Sequence, residues 1–243
     1  MRYSARFLII PAILIVLAAT GSAMASGPMG ERAFQFKFGG FFPEGDSDFW
    51  AETEDVFTID VGDFDGAMVG FTYLSPVSNN MEVGLNVDFY NETVLSAYRD
   101  YTDVDGFRIF HDTSLSMVPL SVDVRFLPAG RYGARGSRGQ VMVRRPVFYL
   151  GGGIGVNFFE YEEVGDFVDF ELDEVVFDRF RDSGAAFTAH ALAGVELPVS
   201  PDLGLLIEGK YTWVDEELGS DFAGLGNLDL GGTSISVGLS YSF

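Results

Sequence analysis

The stretch SISVGLSYSF, from Ser234 to Phe243, alternates without interruption between apolar and small residues. Its odd-numbered positions carry isoleucine, valine, leucine, tyrosine and phenylalanine, and its even-numbered positions carry four serines and one glycine. A repeat of two residues is the pattern of a β-strand whose two faces meet different surroundings. The stretch therefore predicts a strand that is apolar on one face and carries only small side chains on the other.

Seven further segments repeat this alternation. They are AFQFKFGGFF (33–42), MVGFTYLSP (68–76), MEVGLNVDFY (81–90), VPLSVDVRF (118–126), FYLGGGIGVNF (148–158), FTAHALAGVELPV (187–199) and LGLLIEGKYTW (203–213). Most of them are close to the ~9–11 residues that a tilted strand needs to cross a bilayer. The sequence thus predicts eight strands of membrane-crossing length.

Charges and glycines occupy the second face of these segments, opposite the apolar face. A soluble β-sandwich, which is the alternative, would bury the apolar faces and turn the charges to water. A membrane barrel does the reverse, and it has an even number of strands, aromatic residues near the strand ends and long outer loops. We therefore predict an all-β fold, an eight-stranded antiparallel up-and-down transmembrane β-barrel with long outer loops.

The amino-terminal residues predict export. Arg2 and Arg6 precede an apolar run, and Ala23-Met24-Ala25 has the small-x-small form of a cleavage site. Residues 1–25 are therefore interpreted as a signal peptide and residues 26–243 as the barrel domain. The chain has no cysteine, which excludes disulfides and thiolate metal sites, and its net charge of −21 argues against a nucleic-acid partner.

The last strand resembles the carboxy-terminal assembly signal of outer-membrane barrels, through Gly238, Tyr241 and the final Phe243. With its eight segments, the chain resembles the small eight-stranded outer-membrane barrel family typified by the OmpA transmembrane domain and OmpX. This resemblance implies a monomer without a cofactor in the bacterial outer membrane. It also implies outer-membrane lipid and the outer-membrane assembly machinery as partners.

Charged residues on the polar faces are expected to meet inside the barrel. An eight-stranded barrel is just wide enough for side chains to fill it, and confined charges must pair. We predict a lumen network of salt bridges, while six inward glycines leave open a narrow water-filled cavity. The predicted network comprises Lys37, Glu82, Asp88, Asp123, Arg125, His190, Glu196, Glu208 and Lys210.

Acidic residues are concentrated in the predicted outer loops, which hold 29 of the 36 carboxylates of the chain. The link 127–145 is the opposite, with five arginines and no acid. We expect its arginines to lie at the periplasmic lipid interface, with an anionic periplasmic partner as the alternative.

We also expect 167–177 to extend the fifth and sixth strands into a hairpin beyond the membrane, and 50–61 to have a similar extended character.

Divalent cations are candidate ligands of the acidic loops, because hard cations take carboxylate oxygens. Asp103, Asp105 and Asp112 partly match a calcium loop, but Tyr101 stands at the first ligand position, so the pattern is incomplete. Loose bridging of cations to anionic surface lipid is the less specific alternative.

Three functions remain open at this point. The first is a non-enzymatic structural or surface-interaction barrel with acidic extracellular loops, and the second is a small channel for ions or solutes. The third is an enzyme acting on surface lipid, for which the chain offers only His111 and His190 as histidine bases. We expect the first of these functions.

Overall fold

The computed structural model of the protein describes residues 31–131, 145–170, 172, 174–222, 224 and 226–243, so the predicted signal peptide lies outside the described residues. Its strands are β1 (Ala33–Pro43), β2 (Gly66–Ser78), β3 (Met81–Thr102), β4 (Arg108–Phe126), β5 (Val147–Asp169), β6 (Glu174–Pro198), β7 (Leu203–Trp213), β8 (Asp215–Glu217), β9 (Asn227–Asp229) and β10 (Gly232–Ser242). Helix α1 spans Asp48–Val56, and two short 3-10 helices span Val61–Phe64 and Ser220–Phe222. No helix within the described residues is long and apolar enough to span a membrane.

Eight of the strands form a closed antiparallel barrel, in the order β1-β10-β7-β6-β5-β4-β3-β2. The short strands β8 and β9 pair with each other outside it. The strand that contains the opening stretch, β10, closes the barrel against β1, from Ala33 opposite Ser242 to Pro43 opposite Gly232. This pairing satisfies the backbone groups that an open sheet edge would leave unpaired in lipid. The predicted eight-stranded up-and-down barrel is confirmed.

The strands are strongly tilted. A path of directly paired residues leaves β1 at Pro43, passes once around the barrel and returns to β1 at Ala33, ten residues away. Its intermediate steps are Gly232, Thr212, His190, Gly153, Asp123, Gly84 and Leu74. A stagger of this size accompanies a strand tilt of about 35–45° to the barrel axis.

The alternation seen in the sequence separates the inside of the barrel from its outside. In β1, Phe34, Phe36 and Phe38 are 44–54% exposed, whereas Gln35 and Lys37 are at most 2% exposed. The same division runs along the other barrel strands, since exposed apolar side chains form the outer surface and polar side chains are enclosed. This arrangement is that of a barrel whose outer surface meets lipid.

Four strands project well beyond the barrel wall. β3, β4, β5 and β6 are 22, 19, 23 and 25 residues long, whereas β1, β7 and β10 have 11 residues each. The predicted β5–β6 hairpin is confirmed, since pairing continues to Asp169 opposite Glu174. The expectation that 91–113 is a loop is wrong, because β3 and β4 also extend outward and only a short turn at Asp103–Phe107 joins them.

The long β1–β2 link contains a helix, Asp48–Val56, so the expected extended character of 50–61 is wrong over 50–56. Ser47 caps this helix, α1, by accepting a hydrogen bond from the Trp50 backbone N–H at 3.4 Å. The buried side chains Phe49, Trp50 and Thr53 lie on one face of it, which is a helical rather than a two-residue repeat. The helix lies across the outer mouth of the barrel.

Candidate functional site: the filled lumen and its outer cap

All nine residues of the expected lumen network lie inside the barrel. Eight of them are buried, and the ninth, Lys210, has a side chain that is only 9% exposed. With Arg131, the described residues place four cationic side chains and five carboxylates in the lumen, and every one of these carboxylates contacts a cation. The interior is therefore nearly neutral, although the whole chain is strongly acidic.

The centre of the lumen is a compact group of ion pairs around Glu208. Lys37 Nζ lies 2.7 Å from Glu208 Oε1, and Arg125 Nη2 lies 3.1 Å from Glu208 Oε2. Arg125 also donates through Nε to Asp123 Oδ2 at 2.8 Å. The guanidinium of Arg125 lies 4.8 Å from the ring centroid of Tyr149, whose hydroxyl donates to Glu208 at 3.0 Å. Each charge has thus exchanged water for several fixed partners.

A second group of contacts lies towards the outer end of the lumen. Lys210 pairs with Asp88, and Asn86 donates a hydrogen bond to Asp123. Thr72 Oγ1 donates to Asn86 Oδ1 at 2.6 Å. His190 is also buried here, although its Nε2 has no hydrogen-bond partner among the described residues. Sequence analysis missed Asn86, Thr72 and Tyr149, which the parity of their strands could have placed inside the barrel.

The inner end of the lumen is closed by Arg131, and this corrects the expectation that it lies at the lipid interface. Arg131 is only 6% exposed, and it contacts Glu82 at 2.5 Å and Glu196 at 2.9 Å. It turns inward because two buried carboxylates there would otherwise face each other without a cation, which is costly. The other arginines expected at that interface, at 135, 138 and 144, lie outside the described residues, while Arg145 is described and exposed.

Two of the inward glycines, Gly70 and Gly84, leave no open space beside them. A Cβ atom on Gly70 would lie 2.2 Å from Asp88 Oδ1, and one on Gly84 would lie 2.3 Å from Asp123 Oδ1. The space beside these glycines is therefore occupied by the carboxylates of neighbouring strands. A cavity of about 30 Å³, large enough to hold water, lies between the network and the outer cap.

An apolar cap covers the outer end of the lumen. Trp50 of α1 is 1% exposed, and its indole N–H donates to the backbone oxygen of Asp229 at 2.9 Å. Around it pack Phe49, Tyr161 and Phe222, with ring centroids 5.2–6.2 Å apart. Inward side chains of the strands complete the cap, among them Phe41, Met68, Tyr90, Leu115, Met117 and Phe159. Sequence analysis did not anticipate this cap.

The candidate calcium ligands do not converge. Asp103 Oδ1 accepts hydrogen bonds from the backbone N–H groups of Asp105 and Phe107, at 2.9 and 2.8 Å, and so holds the β3–β4 turn. Asp112 lies on β4 with an exposed side chain, opposite Leu95. Within the described residues there is no group of three or more histidine, cysteine or acidic side chains arranged to hold a metal ion.

His111 is not paired with the neighbouring Asp112 as a catalytic base would be, because the two side chains point to opposite faces of β4. His111 is 2% exposed and lies between the rings of Phe57 and Phe167, at centroid distances of 4.5 and 4.9 Å. Burial in this aromatic surrounding lowers the pKa of His111 to about 4. The imidazole is therefore neutral at neutral pH.

Known structures share this architecture. OprG of Pseudomonas aeruginosa superimposes with a TM-score of 0.53 and 13% sequence identity, covering 88% of this chain and 96% of OprG. Neisserial surface protein A superimposes with a TM-score of 0.47 and 12% sequence identity, covering 90% of this chain and all of that protein. Ail of Yersinia pestis superimposes with a TM-score of 0.42 and 12% sequence identity, covering 88% of this chain and 99% of Ail.

The chain has the fold of the small eight-stranded outer-membrane barrels. No protein-family model matches its sequence, and no curated protein matches it either. At such low identity, the likeness of this barrel to OprG concerns the fold alone.

The closing strand of the barrel, β10, places Gly238, Tyr241 and Phe243 at the seam with β1. The ring of Phe243 stacks on that of Phe34 of β1 at a centroid distance of 5.4 Å. A Cβ atom on Gly238 would lie 2.2 Å from the backbone oxygen of Phe36, so this position requires a residue without one. The stacked rings join β10 to the first strand, and Gly238 permits the close approach of the two backbones.

Proposed function

We propose that this protein is a non-enzymatic outer-membrane barrel that conducts no ions and acts through its outer face. The observation that carries the proposal is the filled lumen. Four cations and five carboxylates are paired inside the barrel, and an apolar cap centred on Trp50 lies above them.

An ion crossing this lumen would have to break contacts that replace the hydration of the buried charges. Separating one buried ion from its partners costs several kcal/mol, because water does not reach it there. The cap adds a second barrier, since most of its side chains are apolar and its few polar atoms already have hydrogen-bond partners. Both features support a closed barrel and favour it over the small channel.

The outer face is the part of the molecule left to interact. The outer segments 44–65, 91–113, 160–186 and 215–230 hold 29 carboxylates against four arginines. We propose that they bridge, through Mg²⁺ or Ca²⁺, to the phosphates of surface lipid, as many loose contacts rather than one formed site. We also propose that β10 is read by the outer-membrane assembly machinery and that the barrel is a monomer.

Divalent cations are therefore expected to stabilise the protein more than sodium does at equal ionic strength. The barrel would be folded in vesicles that contain a phosphorylated lipid, and its thermal unfolding would be followed by heat-modifiable gel mobility. Millimolar Ca²⁺ should raise the midpoint, whereas sodium chloride, which only screens the acidic face, should raise it less. Equal rises of the unfolding midpoint with the two salts would refute cation bridging. The same rise with Ca²⁺ in vesicles whose phospholipids carry no net charge would also refute it.

A further inference from the structure

A cleft of about 240 Å³ lies on the outer side of the barrel, between α1 and the inner face of the extended sheet. Its walls are largely aromatic and comprise Phe49, Phe57, Tyr98, Phe167, Phe180 and Phe222. Three carboxylates also line it, and no lysine or arginine does. Glu52 and Asp221 are exposed near its mouth, and Glu163 is buried at its base.

Glu163 is a buried carboxylate without a cation. It is 5% exposed, and within the described residues its one hydrogen bond comes from the Tyr161 hydroxyl at 2.8 Å. The nearest arginines along β6, Arg179 and Arg181, turn to the other face and pair with Glu162 and Glu160. An ionised carboxylate in such a position is unfavourable unless a cation or further donors reach it.

The wall behind Glu163 holds further polar atoms without partners. Thr113 of β4 lies directly opposite Glu163, and His111 lies two residues further along the same inward face. The Thr113 hydroxyl, both ring nitrogens of His111 and the Ser96 hydroxyl on β3 are buried without a hydrogen bond among the described residues. The strand next to Glu163 therefore gives its carboxylate no hydrogen bond in place of a cation.

We propose that this cleft binds an organic cation with an apolar body, such as an arylalkyl amine. The ammonium group would pair with Glu163, and the apolar body would lie among the six aromatic rings. Cations are attracted to the faces of aromatic rings, and the attraction grows where water is excluded. An anion would meet three carboxylates, and a neutral molecule would leave Glu163 unpaired. This inference goes beyond the proposed function and does not depend on whether the barrel conducts.

The protonation of Glu163 makes the binding depend on pH. Burial raises the pKa of Glu163 to about 7, so the carboxyl is partly protonated at neutral pH. The titratable groups around it are Tyr161, His111, Tyr98, Glu52 and Asp221. Burial lowers the pKa of His111 and raises those of Tyr161 and Tyr98, which keeps all three neutral between pH 6 and 8. Affinity should rise with pH up to about 7 and then level off, with a proton released on binding.

The experiment is a calorimetric titration of the chain Ser26–Phe243, folded in dodecyl maltoside micelles, with 2-phenylethylamine. The neutral 2-phenylethanol and the anionic 3-phenylpropionate have similar bodies and serve as comparison probes, and empty micelles give the background. We expect the amine to bind at least ten times more tightly than the alcohol at pH 7.5. We expect no binding of the carboxylate.

The decisive variant is Glu163→Gln, with Glu162→Gln as its matched control. Both remove one carboxylate from β5, but Glu162 faces outward and pairs with Arg179. Glu163→Gln should abolish the preference for the amine and the pH dependence, and Glu162→Gln should leave both unchanged. Equal affinity for amine and alcohol in the unaltered protein, no binding of the amine, or an unchanged preference in Glu163→Gln would each overturn the proposal. Conductance measured on the same samples would test the closed barrel separately.

Discussion

Replacement of Arg125 by methionine is expected to lower the free energy of unfolding by about 3–5 kcal/mol, the cost of breaking a buried ion pair. The side chain of Arg125 is 1% exposed and contacts Asp123 and Glu208, while its guanidinium lies over the ring of Tyr149. Without it, Asp123 and Glu208, whose side chains are at most 2% exposed, each lose a cation. The measurement is guanidinium unfolding of the barrel in phospholipid vesicles, followed by far-ultraviolet circular dichroism.

Arg179→Met is the control for Arg125→Met, because it removes an arginine from a pair outside the barrel. Its side chain is 60% exposed beside Glu162. A solvent-exposed pair contributes about 0–1 kcal/mol, so the change in the free energy of unfolding should be small. If both variants lost the same stability, the lumen would be filled with water and the description of Arg125 as a buried, paired charge would be wrong.

Removal of the Trp50 side chain is expected to have the second large effect. Trp50→Ala should lower the free energy of unfolding by about 3–5 kcal/mol, because it leaves a large cavity at the centre of the cap. Trp50→Phe keeps most of the volume and loses the hydrogen bond to the Asp229 backbone oxygen, so it should cost about 1–2 kcal/mol. The same unfolding experiment measures both variants.

Phe170→Ala is the control for the cap, since Phe170 is an aromatic residue of the same outer region that is 67% exposed. An exposed site should change the free energy of unfolding by only about 0.5 kcal/mol. Equal losses in Phe170→Ala and Trp50→Ala would mean that the outer segments do not pack as a cap. In that case the outer mouth of the barrel would be open.

The barrel could be predicted because its strands meet two unlike surroundings. Lipid on one side and a narrow lumen on the other impose a two-residue repeat, which the sequence displays in each of the eight segments. The same repeat assigned Lys37 and Glu208 to the interior, where they form an ion pair at 2.7 Å. Along these strands the local sequence pattern agrees with the surroundings of each side chain in the barrel. The sequence alone was therefore enough to predict the strands and the side chains that face the lumen.

The cap and Arg131 could not be predicted because distant partners decide them. Trp50 packs against Phe64, Tyr161 and other residues that come from separate segments of the chain, and no local repeat reports such a meeting. The capping serine, Ser47, was a readable signal for α1, but the likeness of 50–61 to the alternating segment 167–177 indicated an extended chain instead. Arg131 turns into the lumen because it pairs there with Glu82 and Glu196. The arginine-rich sequence around it gives no sign of these distant partners.

The closed lumen is tested most directly by single-channel recording in a planar lipid bilayer. The chain Ser26–Phe243 would be inserted, and its folding would be verified by heat-modifiable gel mobility. A membrane that stays electrically silent, while the inserted protein is shown to be folded, is the predicted result. Discrete current steps whose size or ion selectivity changes in Glu208→Gln or Lys210→Met would contradict the account, because the lumen network would then line an ion path.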